Sequence, residues 1–247
     1  ATLGALAESG NDGLRLTDVA RRTGISKAAA HRNLAGLVAH GLAVLDPDSN
    51  RFYLGDRILT WIDQAADRFE PAHRIQPHLR RLADELHDTV YFSVRRGDDA
   101  VCFGRALGSF PVQTLTLRVG DHRPLGIGSG SLAVLAFLDR AEIDRVLRER
   151  AADRAPYPLT DDQLRAHLDD AVAAGYTTMD HALVQGIHGL VGVGVPIRGR
   201  DGTSVAAFSL AALRERVQAP RLGEVVTRLR AEADLVEREL ADILARY

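Results

Sequence analysis

The strongest constraint on this chain is a fixed succession packed into its first 55 residues: helix, tight turn, helix, then two short strands. Leu14-Arg15-Leu16 reads as an extended entry, and Thr17 stands where it can cap a helix through Asp18-Val19-Ala20-Arg21-Arg22, which Gly24 stops. Ser26 occupies an N-cap position before the next helical pattern. In it, Ala30, Leu34, Leu37 and Val38 recur at intervals of three and four, which places them on one face. His40-Gly41 closes that helix, with Gly41 suited to a left-handed C′ position. Leu42-Ala43-Val44-Leu45 and Arg51-Phe52-Tyr53-Leu54, separated by Asp46-Pro47-Asp48-Ser49-Asn50, form a hairpin pattern. Two helices joined by a turn and followed by a hairpin are a winged helix-turn-helix.

Charge sharpens this reading locally and not globally. Basic and acidic residues nearly cancel, 31 against 33, so a site for a polyanion has to be a local patch. Between Val19 and Leu45 there are Arg21, Arg22, Lys27 and Arg32 and no acid. The outward face at the start of the second helix carries Lys27, Ala28, Ala29, His31 and Arg32, and small residues among donors let a helix approach base edges closely. These five are expected to face double-stranded DNA. Ser26 is expected to act as cap and phosphate contact, and Arg51 to reach the backbone or minor groove from the wing. Lys27 is the only lysine; the arginines are spread over the whole length and matched by acids, which reads as codon usage.

With 247 residues, 46% of them hydrophobic and 26% charged, the chain has room for a second, larger domain. Residues 56–70 predict an amphipathic connecting helix with Ile58, Ile62, Ala65 and Phe69 on one stripe and Trp61 beside it. Pro71 marks the break that follows. Beyond residue 73 the pattern predicts a helix at 75–87, strands at 89–95, 100–105 and 112–117, and helices at 131–138, 142–150 and 161–174. Further strands follow at 190–198 and 204–210, with a last helix from Pro220. The expected architecture is α+β: residues 1–57 as the winged unit, 58–72 as a linker helix, and 73–247 as an antiparallel sheet flanked by helices. The longest apolar run, residues 132–138, is far short of the ~20 needed to span a bilayer. With no leader pattern at the start, a cytoplasmic location and no membrane contact are expected. The numbering opens on Ala1 rather than Met, which leaves open whether a segment precedes it.

Catalytic patterns are weak. Gly126-Ile127-Gly128-Ser129-Gly130 places its serine wrongly for a nucleophile elbow, and no dinucleotide fingerprint or phosphate loop occurs. Cys102 lies among apolar residues of a strand, as a structural thiol does. The histidines form no H-x-x-x-H pair; His181 and His188 share one loop and are the one weak metal pairing. No cofactor, metal site or catalytic residue is therefore expected. Two glycine clusters read better as binding features. Gly126, Gly128 and Gly130 precede an apolar helix, where open N–H groups favour an anion. Gly186, Gly189, Gly192 and Gly194 crowd the entry to a strand.

The chain resembles the isocitrate lyase regulator (IclR) family of bacterial transcription factors over essentially its whole length. The resemblance is carried by residues 16–41 and the wing at 51–55, and by 119–125 leading into 133–138. Ala174-Gly175-Tyr176, Val193-Gly194-Val195-Pro196-Ile197 and residues 202–209 complete it. It implies a winged helix-turn-helix, a linker helix and a GAF-like effector domain, working as a homodimer or homotetramer on palindromic operators. Effectors of such proteins are small organic acids or aromatic catabolites. The family's effector loop falls on Ser129 and Gly130, with Leu125 and Ile127 as walls, and its acidic loop falls near Asp180. Ser209 matches a serine of the last strand. A frequent cysteine falls on Gly189 or Gly192, and a second serine is Ala211. These departures predict a roomier, less polar pocket, suited to an acid with an apolar or aromatic body. The alternative is a small-molecule enzyme or interaction scaffold with an accessory winged domain.

Overall fold

The computed structural model describes residues 1–64, 72–180, 184 and 188–241. The chain divides into two units, Ala1–Phe69 and Glu70–Tyr247. The first opens with α1 (Thr2–Ser9), a helix that the sequence reading did not include, followed by α2 (Leu16–Thr23) and α3 (Lys27–Ala39). Leu14 pairs with Phe52 of the hairpin formed by β1 (Ala43–Asp46) and β2 (Arg51–Leu54), so the wing is stitched to the start of α2. The N-cap of α2 is Arg15 in extended conformation and Thr17 lies inside the helix, which corrects the expected cap. Ser26 caps α3 as expected, its hydroxyl accepting from Ala29 N–H at 3.2 Å. Gly41 (φ 68°) ends α3 with the Leu42 N–H on Leu37 O and its own N–H on Val38 O, the paired bonds of a Schellman motif.

The core of this unit is Leu6, Leu14, Val19, Ala30, Leu34 and Ala43. Val38, expected on that face, is exposed at the end of the stripe. Then comes α4 (Arg57–Gln64), on which Leu59 and Trp61 are exposed. Ala65, Phe69 and Pro71, and the side chain of Ile62, lie outside the described residues.

The second unit is one six-stranded antiparallel sheet in the order β5-β4-β3-β8-β7-β6. Its strands are β3 (Thr89–Arg96), β4 (Asp99–Ala106), β5 (His122–Pro124), β6 (Thr177–Asp180), β7 (Leu190–Arg198) and β8 (Ser204–Leu213). Among the described residues five helices pack around it, α5 (Gln76–Leu86), α6 (Ser129–Ala136), α7 (Arg140–Glu149), α8 (Ala151–Arg154, one turn) and α9 (Asp161–Ala174), with α10 (Arg221–Glu239) at the end.

Both faces of the sheet are covered, which is why the central strands read as nearly unbroken apolar runs. Leu79, Leu82 and Leu86 of α5 and Val225, Leu229 and Val236 of α10 pack with Val90, Phe92, Phe208 and Leu210 on one face. On the other face, Leu132 and Leu135 of α6 join Ile143 and Val146 of α7, Leu164 and Leu168 of α9, Met179 and Ala207. Residues 112–117, expected to be a strand, run as a loop over the second face.

Candidate functional site

In the first unit, Ser26, Lys27, Ala28, His31 and Arg32 are exposed together around the first turns of α3, with Ala29 half-buried among them. Arg22, Lys27 and Arg32 have no acidic partner among the described residues, and Arg21 pairs with Asp18 at 2.8 Å. That surface combines a helix N-terminus, three uncompensated cations and alanines, a composition suited to phosphates and close-packed base edges. Arg51 is placed differently from its expectation. It is half-buried on β2, and its Nη1 donates to the Asp12 carbonyl at 3.1 Å and the Gly13 carbonyl at 3.0 Å. Two bonds to the chain before α2 hold it as a brace for the wing. The turn it would have reached from carries Asp46 and Asp48, unfavourable beside phosphate.

The second unit holds a small cavity of about 20 Å³ between the sheet and the N-terminus of α6, lined among others by Tyr91, Ser93, Arg123, Ser129, Gly130 and Ser209. The approach of α6 is close because two glycines permit it. A Cβ on Gly194 would stand 2.6 Å from Thr177 Oγ1 and nearer still to the Ser129 carbonyl. A Cβ on Gly130 would stand 2.8 Å from Ser209 Oγ. Thr177 fastens the contact, its hydroxyl donating to Ser129 O at 2.8 Å.

The first three N–H groups of α6, on Ser129, Gly130 and Ser131, have no intrahelical acceptor, as at any helix start, and no other acceptor among the described residues. Ser93, Ser129 and Ser209 are each more than nine-tenths buried as residues; their hydroxyls have no hydrogen-bond partner among the described residues and stay open to the cavity, unlike the enclosed and unpaired Thr89 Oγ1 and Arg154 Nε. The Ser131 hydroxyl is spent on Pro124 O and Gly126 N–H.

Arg123 completes the wall. It is only 8% exposed, donates through Nη2 to the Thr116 carbonyl at 2.7 Å, and has no carboxylate within ion-pair distance among the described residues. Its Nη1 lies 3.2 Å from where a Cβ on Gly128 would be. Burial lowers its pKa, with Asp121 and nearby phenols opposing at longer range; an arginine nonetheless keeps its proton. The roof is the loop at 107–121. The Tyr91 hydroxyl donates to Thr114 O at 2.6 Å and accepts from Thr116 N–H at 3.0 Å, and Arg105 donates to Leu117 O at 3.0 Å.

Of the expected effector residues, the structure brings Ile127, Ser129, Gly130 and Ser209 to this cavity. It does not bring Leu125 or Asp180. Leu125 is fully buried in the core beneath α6, and Asp180, at the end of the edge strand, pairs with Arg214. The expectation of a roomy, less polar pocket is also corrected. Its polarity comes from Tyr91 and Ser93 of β3, from Thr116 and from Arg123, none of which the resemblance had marked, and the roof loop occupies the volume. The available signal was Ser93 in an otherwise apolar strand. Cys102 is buried and its thiol is pushed up to about 11 by desolvation, so it stays protonated at neutral pH. His181 lies outside the described residues. Among the described residues no helix is long and apolar enough to cross a membrane.

Comparison with known proteins agrees with this geometry. The profile of the bacterial transcriptional regulator IclR C-terminal domain matches residues 63–238, and that of the IclR helix-turn-helix domain matches residues 2–47. The HTH-type transcriptional regulator KipR of Bacillus subtilis is 25% identical over 229 residues, covering 92% of this chain and 90% of its own length. The crystal structure of the Thermotoga maritima IclR superposes with a TM-score of 0.74 at 19% identity, covering 93% of this chain and 92% of that one. An IclR homologue from Microbacterium hydrocarbonoxydans, solved in complex with 4-hydroxybenzoate, superposes with a TM-score of 0.70 at 22% identity and 97% coverage of each chain. Helix-turn-helix, curled antiparallel sheet and flanking helices are thus shared along the whole length, and the chain belongs to the IclR family of bacterial transcriptional regulators, which are not enzymes.

Proposed function

We propose that this chain is a ligand-responsive regulator that binds a palindromic operator through α3 and a small organic acid at the α6 cavity. The observation that carries the proposal is the cation-bearing start of α3, with no acid between Val19 and Leu45. It stands in one chain with a second unit whose cavity is built for an anion. Ser26, Lys27, Ala28, Ala29, His31 and Arg32 form the DNA-facing set, and Arg51 supports it from the wing. Ile127, Ser129, Gly130 and Ser209 form the effector-facing set. In this reading residues 1–57 bind DNA, 58–72 link, and 73–247 sense the effector. Exposed Leu59 and Trp61 on α4 support pairing with a second copy, and a two-fold pair of α3 helices matches a palindrome with half-sites about one helical turn apart. A role on DNA supports a cytoplasmic location. The 4-hydroxybenzoate held by the Microbacterium homologue supports an aromatic acid as one effector class.

The test is binding of the purified protein to its own upstream intergenic DNA at two salt concentrations, with its oligomeric state measured in parallel. Specific binding by a dimer or tetramer that weakens steeply with salt is expected. A folded monomer, or an oligomer with no salt-sensitive DNA binding, would overturn the reading.

A further inference from the structure

Around the α6 cavity, donors outnumber acceptors. Three N–H groups, the hydroxyls of three buried serines and the guanidinium of a buried arginine belong to residues that line it, and no carboxylate of the described chain reaches them. Of five N–H donors on Arg123, one is spent, on the Thr116 carbonyl. Buried polar groups are rarely left unpaired, and a buried charge without a partner is costly to keep. Such a set is kept where a ligand supplies the missing acceptor.

We propose that Arg123 is the counter-ion for a ligand carboxylate, which it grips together with the N–H groups of Ser129, Gly130 and Ser131, and that seating this carboxylate loosens the loop at 107–121. The inference rests on the effector reading and names the chemical handle within it. The lining holds one cation, which balances a carboxylate and leaves a phosphate dianion half-compensated. A guanidinium grips a carboxylate best through two parallel N–H bonds, and with one Nη2 hydrogen on the Thr116 carbonyl Arg123 keeps one such fork for a ligand. The coupling to the loop comes from space. The cavity, about 20 Å³, suits about one water, so even a small acid needs the roof to move. That roof is backbone held by side chains, with Val112, Leu115 and Val119 turned out to solvent.

The experiment titrates the full-length protein with acetate, benzoate and 4-hydroxybenzoate, with the amide of each, and with inorganic phosphate, by calorimetry. It compares wild type, Arg123→Gln and Arg123→Lys. At least one acid is expected to bind, with its amide and phosphate far weaker. Arg123→Gln should lose on the order of 10- to 100-fold in affinity, as when a charge-assisted bond is removed, and Arg123→Lys less. Without ligand, Arg123→Gln should melt close to wild type, because the lost bond to the Thr116 carbonyl is offset by removal of a buried charge that has no counter-ion; an arginine that merely props the loop would lower the melting temperature. Hydrogen exchange at residues 112–119 should quicken when the acid is added.

Equal binding by acid and amide, undiminished binding by Arg123→Gln, preference for phosphate, unchanged exchange at 112–119, or no binding by any acid up to tens of millimolar would each overturn the proposal. The acid-to-amide ratio on wild type decides the matter even if a variant fails to fold. Acid binding that depends on Arg123 yet leaves DNA binding unchanged would instead count against the regulator reading and leave this one standing.

Discussion

Gly130→Ala separates the role of the cavity from the stability of the fold around it. The added methyl meets Ser209 Oγ at 2.8 Å and Ser209 Cβ at 3.3 Å, with Ser93 Oγ at 3.8 Å. The closest of these is the end of a hydroxyl that can swing about χ1 and has no hydrogen bond to lose. Gly130 sits in the first turn of α6, where alanine is worth about 0.4–1 kcal/mol through reduced unfolded-state entropy. The residual tightness at Ser209 Cβ falls at the low end of the ~1–3 kcal/mol typical of overpacking. The two nearly cancel, so the melting temperature should stay within about 4 °C of wild type. The methyl nonetheless occupies the cavity between the α6 N–H groups and Ser209. Binding of a carboxylate such as benzoate should therefore fall by about 100-fold or more, roughly 2.7 kcal/mol.

Gly194→Ala is the contrast. Its Cβ meets Thr177 Oγ1 at 2.6 Å and the Ser129 carbonyl carbon at 2.8 Å, part of the backbone that α6 carries. Relief requires pushing α6 off the sheet and breaking the Thr177 bond to Ser129, for about 2–5 kcal/mol in all. Thermal unfolding followed by circular dichroism, with ligand titration on each variant, reads both effects. A Gly130→Ala protein that melts as low as Gly194→Ala, or binds carboxylate as wild type does, would refute this account of the packing.

The remaining expectations concern DNA and acid. Lys27→Ala should weaken binding to all sequences and reduce the slope of log K against log salt by about one, whereas His31→Ala should cost ~1–3 kcal/mol at one operator position, both readable by fluorescence anisotropy. Arg51→Ala should lower the stability of the winged unit by about 1–2 kcal/mol, through its two lost bonds to Asp12 and Gly13, while leaving the salt slope unchanged. Glu142 is held down to about 2 by Arg145 and Arg95, and Asp98 is lowered by Arg145. Folded-state values below the ordinary ones mean that this network stabilises above pH ~4.5 and is lost as the pH falls toward 2. Melting temperatures measured from pH 5 down to 3 should therefore drop less in Glu142→Gln than in wild type.

Elements with their own local chemistry were legible. Helix α9 was readable to the residue, since Thr160 and Gln163 form a reciprocal capping box and Gly175 ends it at φ 74°. The 112–117 segment shows how the same rules mislead. Val-Gln-Thr-Leu-Thr-Leu has strand composition, yet Thr114 and Thr116 are buried while Val112 and Leu115 are exposed, the reverse of an apolar-in pattern. Its backbone groups go to the Tyr91 hydroxyl and Arg123 instead of a neighbouring strand. A side-chain clamp took the place of ladder bonds, and no periodicity encodes that. Strand β6 escaped notice for a different reason: four residues at a sheet edge, Thr-Thr-Met-Asp, carry too little alternation to register.

Arg123 marks where sequence reading reaches its limit in this chain. With all but one of its basic residues arginine, no single arginine stands out, and the sensible inference from composition is that arginine here is the default cation. What distinguishes one of them is context: among the described residues most arginine contacts are with acids or carbonyls at the surface, such as the Arg145 cluster with Asp98, Glu142 and Glu149. Arg123 instead directs its charge inward, to a wall of hydroxyls and N–H groups. The glycines before α6 pointed toward this wall, and the family resemblance supplied Ser129, Gly130 and Ser209, which line it. Both missed the charge because unpaired burial is a property of the folded chain alone. An inward arginine is tolerable only if its cost is recovered on binding, so the same residue that strains the unliganded protein is the one expected to discriminate an acid from its neutral amide.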